Sequence, residues 1–159
     1  MKIAVRRPTR IVLGSIILSI GALTLANAAE PVGPKLTPRL KELLTSEMKQ
    51  VSKATANLAI AIASGDHTTV TNLGAKVRDS FILKQSLTPK DKKDLMTAVP
   101  PEFVAMDQQF HGLAAKLSDA GKIGDSTLQG FYFGRILEAC VQCHSKYASD
   151  RFTGLAIKK

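Results

Sequence analysis

Residues 37–65, TPRLKELLTSEMKQVSKATANLAIAIASG, have the features of a long amphipathic helix. Thr37 before Pro38 is typical of a helix start, because threonine caps the first turn and proline suits the first helical position. Gly65 stands where a left-handed C-terminal cap is expected. Inward-facing side chains recur at three- and four-residue steps between these ends: Leu40, Leu44, Met48, Val51, Thr55, Leu58 and Ile62. The stretch therefore predicts a helix of about 27 residues, roughly 40 Å long.

The same reasoning predicts a second helix directly after the first. Asp66 can cap this helix, which fades near Leu87 and carries an inward stripe of Val70, Leu73, Val77 and Phe81. Because the turn between the two helices is very short, we expect them to be antiparallel neighbours. Pro100 and Pro101 then interrupt the chain, so residues 87–101 are interpreted as a crossover with at most a short helix across residues 90–97.

Two more helices are predicted in the C-terminal half. The third begins at Pro101 or Glu102 and ends near Gly121, and residues 124–126 turn the chain and cap the fourth. The predicted inward residues of the fourth helix are Leu128, Phe133, Leu137, Cys140, His144 and Tyr147. No sustained period-two alternation is present, which argues against strands. The prediction is an all-α protein, an antiparallel four-helix bundle.

The N-terminal residues 1–28 have the pattern of a cleaved secretory signal peptide. Residues 1–10 carry four basic residues and no acidic one, residues 11–25 are almost wholly apolar, and Ala26-Asn27-Ala28 gives a small-x-small cleavage pattern. An uncleaved anchor is the alternative, but the apolar run falls short of the roughly 20 residues that cross a bilayer. We therefore expect cleavage after about Ala28, export to the periplasm by the general secretory route, and a mature domain at 29–159 without a stable membrane anchor.

The charge balance limits the range of partners. The full chain has 22 Lys and Arg against 13 Asp and Glu, a net charge of +9, and removing residues 1–28 takes away four positive charges and leaves +5. A mildly basic surface can steer docking to an acidic redox partner, although an ordinary solvated helix surface has the same composition. Scattered lysines on an exported protein argue against nucleic acid as a partner.

The segment Cys140-Val141-Gln142-Cys143-His144 is the one specific motif in the chain. In a helix the two cysteines and the histidine lie at positions i, i+3 and i+4, on one face. Both thiols can therefore add to the vinyl groups of one haem while the imidazole reaches the iron from the same side. The motif predicts one covalently attached haem c, with His144 as the proximal iron ligand.

Three other interpretations of the cysteines are weaker. A thioredoxin-like dithiol normally follows a strand at the start of a helix, whereas this pair lies deep in a C-terminal helix. A zinc site needs more ligands, and the only other histidines are His67 and His111. A structural disulfide suits an exported protein but leaves the position of His144 unexplained.

A four-helix bundle with a single C-x-x-C-H in its last helix, close to the C-terminus, resembles the class II c-type cytochromes, namely cytochrome c prime and its low-spin relatives. The resemblance implies a haem near one end of the bundle and a distal face formed by the first helix. It also implies a non-enzymatic role, either as an electron carrier or as a binder of small gases, and it allows a homodimer.

The residues after the motif follow the family pattern only in part. The family often has an aromatic residue three positions after the histidine with an arginine next to it; Tyr147 matches the aromatic and Ala148 replaces the arginine. Arg151 lies two turns beyond His144 on the same face. Tyr147 and Arg151 are therefore candidate haem contacts, although Arg151 also fits an exposed terminal arginine.

The residue opposite His144 decides between two functions. In the low-spin relatives a methionine of the first helix binds the iron, and Glu47-Met48-Lys49 resembles that pattern; Met48 also fits ordinary core packing. Met48 as sixth ligand implies single-electron exchange with periplasmic redox proteins. If Leu44 or Val51 occupies the distal side instead, the iron is five-coordinate and binds nitric oxide or carbon monoxide. Weaker candidate ligands are Met96, Met106, His67 and His111.

Overall fold

The structure, a computed structural model, describes residues 30–155, so the predicted signal peptide lies outside the described residues. This part of the chain is helical and contains no strand. Its six α-helices are α1 Pro38–Ser64, α2 His67–Asp79, α3 Leu83–Ser86, α4 Pro89–Ala98, α5 Pro101–Lys122 and α6 Ser126–Tyr147. Short 3-10 turns, Gly33–Lys35 and Thr153–Leu155, lie before α1 and after α6. The all-α class is confirmed for the described residues.

Helix α1 begins and ends where its sequence predicts. The Thr37 side chain accepts a hydrogen bond from the Leu40 backbone N–H at 3.3 Å, and Gly65 closes the helix with a left-handed φ of 72°. Proline at the first position costs no hydrogen bond there. The buried face consists of Leu40, Glu47, Val51, Ala54, Leu58 and Ala61. A carboxylate therefore lies within an otherwise apolar stripe.

Helix α2 is shorter than predicted. It ends at Asp79 instead of fading near Leu87, because Ser80 adopts a φ of 64°, which takes the backbone out of the helical region. The Ser80 hydroxyl accepts the Lys84 N–H at 3.1 Å, and the four-residue helix α3 follows. A short α2 covers one end of the molecule only.

The crossover contains α4, the short helix that was predicted there. Thr88 and Asp91 form a capping box at its start, and Arg39 of α1 donates to the Asp91 carboxylate at 3.1 Å. Helices α5 and α6 then begin at the predicted residues, with the Asp125 side chain capping the Leu128 N–H at 2.9 Å.

The four longer helices contact one another in a ring, in which α1 and α5 each pack against α2 and α6. Helices α2 and α5 approach most closely at two glycines. A Cβ atom at Gly74 would lie 2.9 Å from the Ser118 nitrogen, and one at Gly121 would lie 2.6 Å from the Thr71 hydroxyl oxygen. Within residues 30–155 no helix is both long enough and apolar enough to span a membrane.

The buried apolar residues form two separate clusters. The α2-end cluster consists of Ala54, Leu58, Ala61, Val70, Val77, Ala114, Leu117 and Ile136. The α4-end cluster consists of Val32, Leu36, Leu40, Val99 and Tyr147. Val51 is buried but belongs to neither cluster. The boundary between the clusters therefore crosses α1 near Val51.

The inner face of α6 differs from the predicted one. Leu128 and Leu137, both predicted to face inward, are 36% and 42% exposed, whereas Gln129, Ile136 and Tyr147 are buried. The predicted stripe was wrong at these two positions because the helix presents the adjacent residues to its neighbours.

Candidate functional site

Helix α6 carries Cys140, Cys143 and His144 in its last two turns, as predicted, and all three side chains are half-buried. The intervening Val141 and Gln142 are exposed. This difference in exposure follows from helix geometry. Positions i, i+3 and i+4 lie on one face of a helix, whereas positions i+1 and i+2 lie on other faces. Thiols and imidazole therefore lie on the inward side of the helix.

The two cysteines lie on either side of the boundary between the clusters. Cys140 packs against the α2-end cluster and Cys143 against the α4-end cluster. On α5 the same boundary falls between Met106, which packs against the α4-end cluster, and Phe110, which packs against the α2-end cluster. The motif therefore lies at the level where the packed interior changes from one cluster to the other.

Helix α1 crosses this boundary between Leu44 and Ala54, a stretch that contains Met48. Leu44 packs against the α4-end cluster and Ala54 belongs to the α2-end cluster. Met48 lies between them, is half-buried, and packs against neither cluster. Met48 is therefore a half-buried residue of α1, a helix that contacts the cysteine-bearing α6.

The two cysteines are not joined in a disulfide. Burial raises the pKa of Cys140, and burial with the nearby negative charge of Asp107 raises the pKa of Cys143 to about 11. Redox-active cysteines of the thioredoxin type have lowered pKa values, because the thiolate is the nucleophile. Both thiols here stay protonated at neutral pH, which is the opposite of what a dithiol oxidoreductase needs.

The His144 imidazole is held in a defined environment. Its ring stacks on Phe152, with centroids 4.1 Å apart and planes 7° apart. Burial and then the positive charge of Arg151 lower the pKa of His144. A lowered pKa favours the neutral imidazole, which is the form that binds a metal ion. Arg151 itself is exposed, so it acts on His144 by its charge.

Tyr147 is the most deeply buried residue of the candidate site. Its side chain is 1% exposed, and its ring meets Phe103 edge to face at 5.2 Å. The Tyr147 hydroxyl has no hydrogen-bond partner among the described residues. A buried hydroxyl without a partner costs free energy, so a group that could accept its hydrogen bond would stabilise this end of the helix.

The weaker candidate ligands lie in different places. Met96 is 60% exposed on α4, and Met106 is half-buried against the α4-end cluster. His67 lies within 2.9 Å of the Gln129 side chain at the start of α2. His111 contacts the end of α2, with its Nδ1 2.6 Å from the Val77 carbonyl oxygen. Neither of these two histidine contacts involves the motif on α6.

Sequence reasoning overlooked the role of Glu47. Its side chain is 3% exposed, and its carboxylate accepts the backbone N–H groups of Phe81, Ile82 and Leu83 at 3.0, 2.6 and 3.0 Å. The signal was present, since position 47 lies on the stripe of Leu44 and Val51. A charged residue on such a stripe indicates a buried polar contact.

The donor set fits a covalently attached haem. Two protonated thiols and one neutral imidazole project from one face of α6, and the unpartnered Tyr147 hydroxyl lies one turn further along. A cavity of about 990 Å³ is lined in part by Tyr147 but by neither cysteine nor His144. The fit therefore depends on the chemistry of these side chains, and accommodating the macrocycle requires neighbouring side chains to move.

The described residues contain no group of three His, Cys, Asp or Glu side chains placed to hold a metal ion. A zinc site built from protein ligands alone needs about four of them. A haem needs from the protein only axial ligands, because the macrocycle supplies the other four.

The comparisons with known proteins identify no relative. The chain matches no protein-family model, no curated protein and no solved structure.

Proposed function

We propose that this chain is a periplasmic mono-haem c-type cytochrome that carries single electrons, with its four longer helices forming an antiparallel bundle around the haem. The observation that carries this proposal is the placement of Cys140, Cys143 and His144 on the inward face of α6. Cys140 packs against one apolar cluster and Cys143 against the other. The bound group would supply a one-electron ferric–ferrous couple.

Each residue of the motif has a separate task. The Cys140 and Cys143 thiols would each add across a vinyl group, so that a carbon–sulfur bond forms and the thiol hydrogen moves to the other vinyl carbon. Their raised pKa values keep that hydrogen in place. His144 would bind the iron through its neutral imidazole, and the stacked Phe152 ring restricts the rotation of that imidazole.

Met48 is the proposed distal ligand. It lies on α1, which contacts α6, is half-buried, and packs against neither apolar cluster. The ordinary packing role of a buried methionine is thus less supported for Met48 than for Met106, which does pack against a cluster. A histidine and methionine pair raises the reduction potential of a haem, which suits an electron carrier.

Gas binding is the second candidate function. Leu44 is half-buried and Val51 buried on the same face of α1 as Glu47, so the helix presents apolar side chains on both sides of Met48. If Met48 does not bind the iron, this wall leaves a five-coordinate site that accepts nitric oxide or carbon monoxide. The mildly positive net charge of the mature chain would favour docking of an electron carrier to an acidic redox partner. The same charge has no role in gas binding.

Absorption spectra separate the two candidates. The ferric wild type should be low-spin and show the near-infrared methionine-to-iron band. Met48→Ala should lose that band, become high-spin and bind carbon monoxide in the ferrous state. Met96→Ala, on an exposed residue of α4, is the matched control and should leave the spectrum unchanged. A high-spin wild type that Met48→Ala does not alter contradicts the electron carrier and supports the gas binder.

A further inference from the structure

The cavity of about 990 Å³ opens where the N-terminal segment, α4, the start of α5 and the end of α6 meet. Its lining combines the apolar residues Ala98, Val99 and Pro100 with charged and hydroxyl-bearing side chains. Sites for small organic molecules have volumes of roughly 300–1,000 Å³ and the same combination of apolar surface with a few polar groups. The cavity therefore has the size and the lining of a small-molecule site.

Tyr147 lines this cavity and carries an unused hydroxyl. The residue is 1% exposed, and its hydroxyl has no hydrogen-bond partner among residues 30–155. The rest of the residue is held in place, because its carbonyl accepts the Val32 N–H at 2.9 Å and its ring packs against Phe103. A buried hydroxyl without a partner is unfavourable, and a charged acceptor gives it the strongest hydrogen bond. The hydroxyl therefore indicates a ligand with an anionic oxygen.

The first turn of α5 lies at the same cavity. Pro100 and Glu102 line the cavity, and Pro100 is the N-cap residue of α5, so its side chain offers no acceptor to the N–H groups of the first turn. The N-terminus of a helix of 22 residues carries a partial positive charge, and its N–H groups bind carboxylates and phosphates. The start of α5 and the Tyr147 hydroxyl therefore favour the same kind of ligand, an oxyanion.

Two of the three carboxylates in the lining are already neutralised by lysines. The Glu30 carboxylate lies 2.8 Å from the Lys35 ammonium, which also lines the cavity. The Asp94 carboxylate lies 2.6 Å from the Lys90 ammonium, one turn earlier on α4. These pairs add little net charge to the cavity, so the remaining side chains decide its sign.

The remaining charged side chains of the lining are two lysines and one glutamate. Lys93 of α4 and Lys146 of α6 line the cavity and form no ion pair within residues 30–155, and Glu102 is the third carboxylate. The Lys146 ammonium lies 5.2 Å from the centroid of the Tyr147 ring. Positive charge is therefore in excess, and part of it lies close to the residue that has the unused hydroxyl.

We propose that this cavity binds a small organic oxyanion, either a carboxylate or a phosphate monoester, whose charged group accepts the hydrogen bond of the Tyr147 hydroxyl at the start of α5. Lys93 and Lys146 neutralise the charge of this group, and the apolar surface of Ala98 and Val99 covers the organic part of the ligand. The inference gives the Tyr147 hydroxyl a partner other than haem. It goes beyond the proposed function and does not rest on it, since neither cysteine nor His144 lines the cavity.

Calorimetric titration of the purified protein, in the form that cells produce, tests the proposal with three probes of equal chain length: hexanoate, hexyl phosphate and hexanamide. One of the two anions should bind at one site per chain, about tenfold or more tightly than the uncharged hexanamide. Which anion binds more tightly identifies the charged group. Hexanamide that binds as tightly as the anions, or the absence of binding by both anions, overturns the proposal.

Four variants locate the site. Tyr147→Phe removes only the hydroxyl and should weaken binding of the anion by about tenfold. Tyr132→Phe, the same change at a tyrosine that packs against the α2-end cluster, is the matched control and should bind as the wild type does. Lys146→Gln should weaken binding, whereas Glu102→Gln should strengthen it, because the Glu102 carboxylate repels the anion. Equal affinities in Tyr147→Phe and the wild type overturn the proposal.

Thermal unfolding separates a loss of binding from a loss of folding. Without a ligand, Tyr147→Phe should unfold at the temperature of the wild type or above it, because it lacks the unpartnered hydroxyl. Hexanoate or hexyl phosphate should raise the Tm of the wild type more than that of the variant. If the variant does not fold, amide chemical shifts of the wild type give the answer. The anion should shift the signals of Val99 and Glu102 and leave that of Ile60 on α1 unchanged, and shifts confined to residues outside the cavity overturn the proposal.

Discussion

At the scale of single residues, Glu47 shows how a charged group is accommodated inside a helical protein. Burying a carboxylate is unfavourable unless hydrogen-bond donors replace the water that it loses. Three consecutive backbone N–H groups of residues 81–83 do so here. These N–H groups follow the end of α2, and a chain that leaves a helix there needs acceptors for them. Glu47 and the turn after α2 therefore stabilise each other.

Glu47→Gln should destabilise the fold. An amide has one oxygen in place of two and no charge, so it cannot accept all three N–H groups with equal strength. We expect the free energy of unfolding to fall by about 1.5–3 kcal/mol, the range for a hydrogen bond to a charged group. Urea denaturation measures the change. Glu42→Gln, on the exposed face of the same helix, is the control, and equal losses in both variants would show that burial is irrelevant.

The sequence predicts those features of the site that depend on the geometry of a single helix. The spacing of Cys140, Cys143 and His144 is a property of one helix, so their common face is correct. The exposure of Leu128 and Leu137 depends on which neighbouring helices cover α6, which no local pattern contains. The stacking of Phe152 on His144 also depends on the path of the chain after α6.

At the scale of elements, the closest contact between helices is that of α2 with α5. Gly74 lies against the Ser118 backbone, and the Ser118 hydroxyl donates to the Thr71 carbonyl at 2.9 Å. A glycine on one helix and a small polar residue on the other let the two backbones approach. This contact fixes α2, and with it the Val77 carbonyl that His111 binds.

Gly74→Ala should destabilise the protein although alanine favours helices. A Cβ atom there would lie 2.9 Å from the Ser118 nitrogen, so α2 and α5 must separate. Overpacking of this kind costs about 1–3 kcal/mol. Gly112→Ala is the matched control, because its Cβ atom would meet nothing within 4 Å, and it should stabilise by about 0.5–1 kcal/mol. Thermal unfolding distinguishes the two, and a stabilised Gly74→Ala would contradict the close packing.

The ends of the helices were predictable where a side chain or a special residue sets them. Thr37, Gly65 and Asp125 each cap a helix at the predicted position. The end of α2 was not predictable, because Ser80 has no intrinsic preference for a positive φ. The residues that follow Ser80 donate to Glu47, which is 33 positions before Ser80 in the sequence and reaches them only in the folded chain.

At the scale of the whole molecule, the interior is divided into two apolar clusters instead of one continuous core. The short α2 contributes to the α2-end cluster, while the N-terminal segment and Val99 fill the other end. The four helices were predictable from periodicity, but this division was not, since it depends on where α2 ends. Our proposal puts the haem at this boundary, because Cys140 packs against one cluster and Cys143 against the other.

The central claim is that one haem is bonded to Cys140 and Cys143. The most direct measurement is the intact mass and the reduced pyridine spectrum of the chain after expression in cells that attach haem to cytochromes. We predict the mass of the processed chain plus one haem, with the haem retained after denaturation and acidic solvent extraction, and no retained haem in the variant with Cys140→Ala and Cys143→Ala. A wild-type chain that has the haem-free mass, or that loses its haem on extraction, would contradict the account.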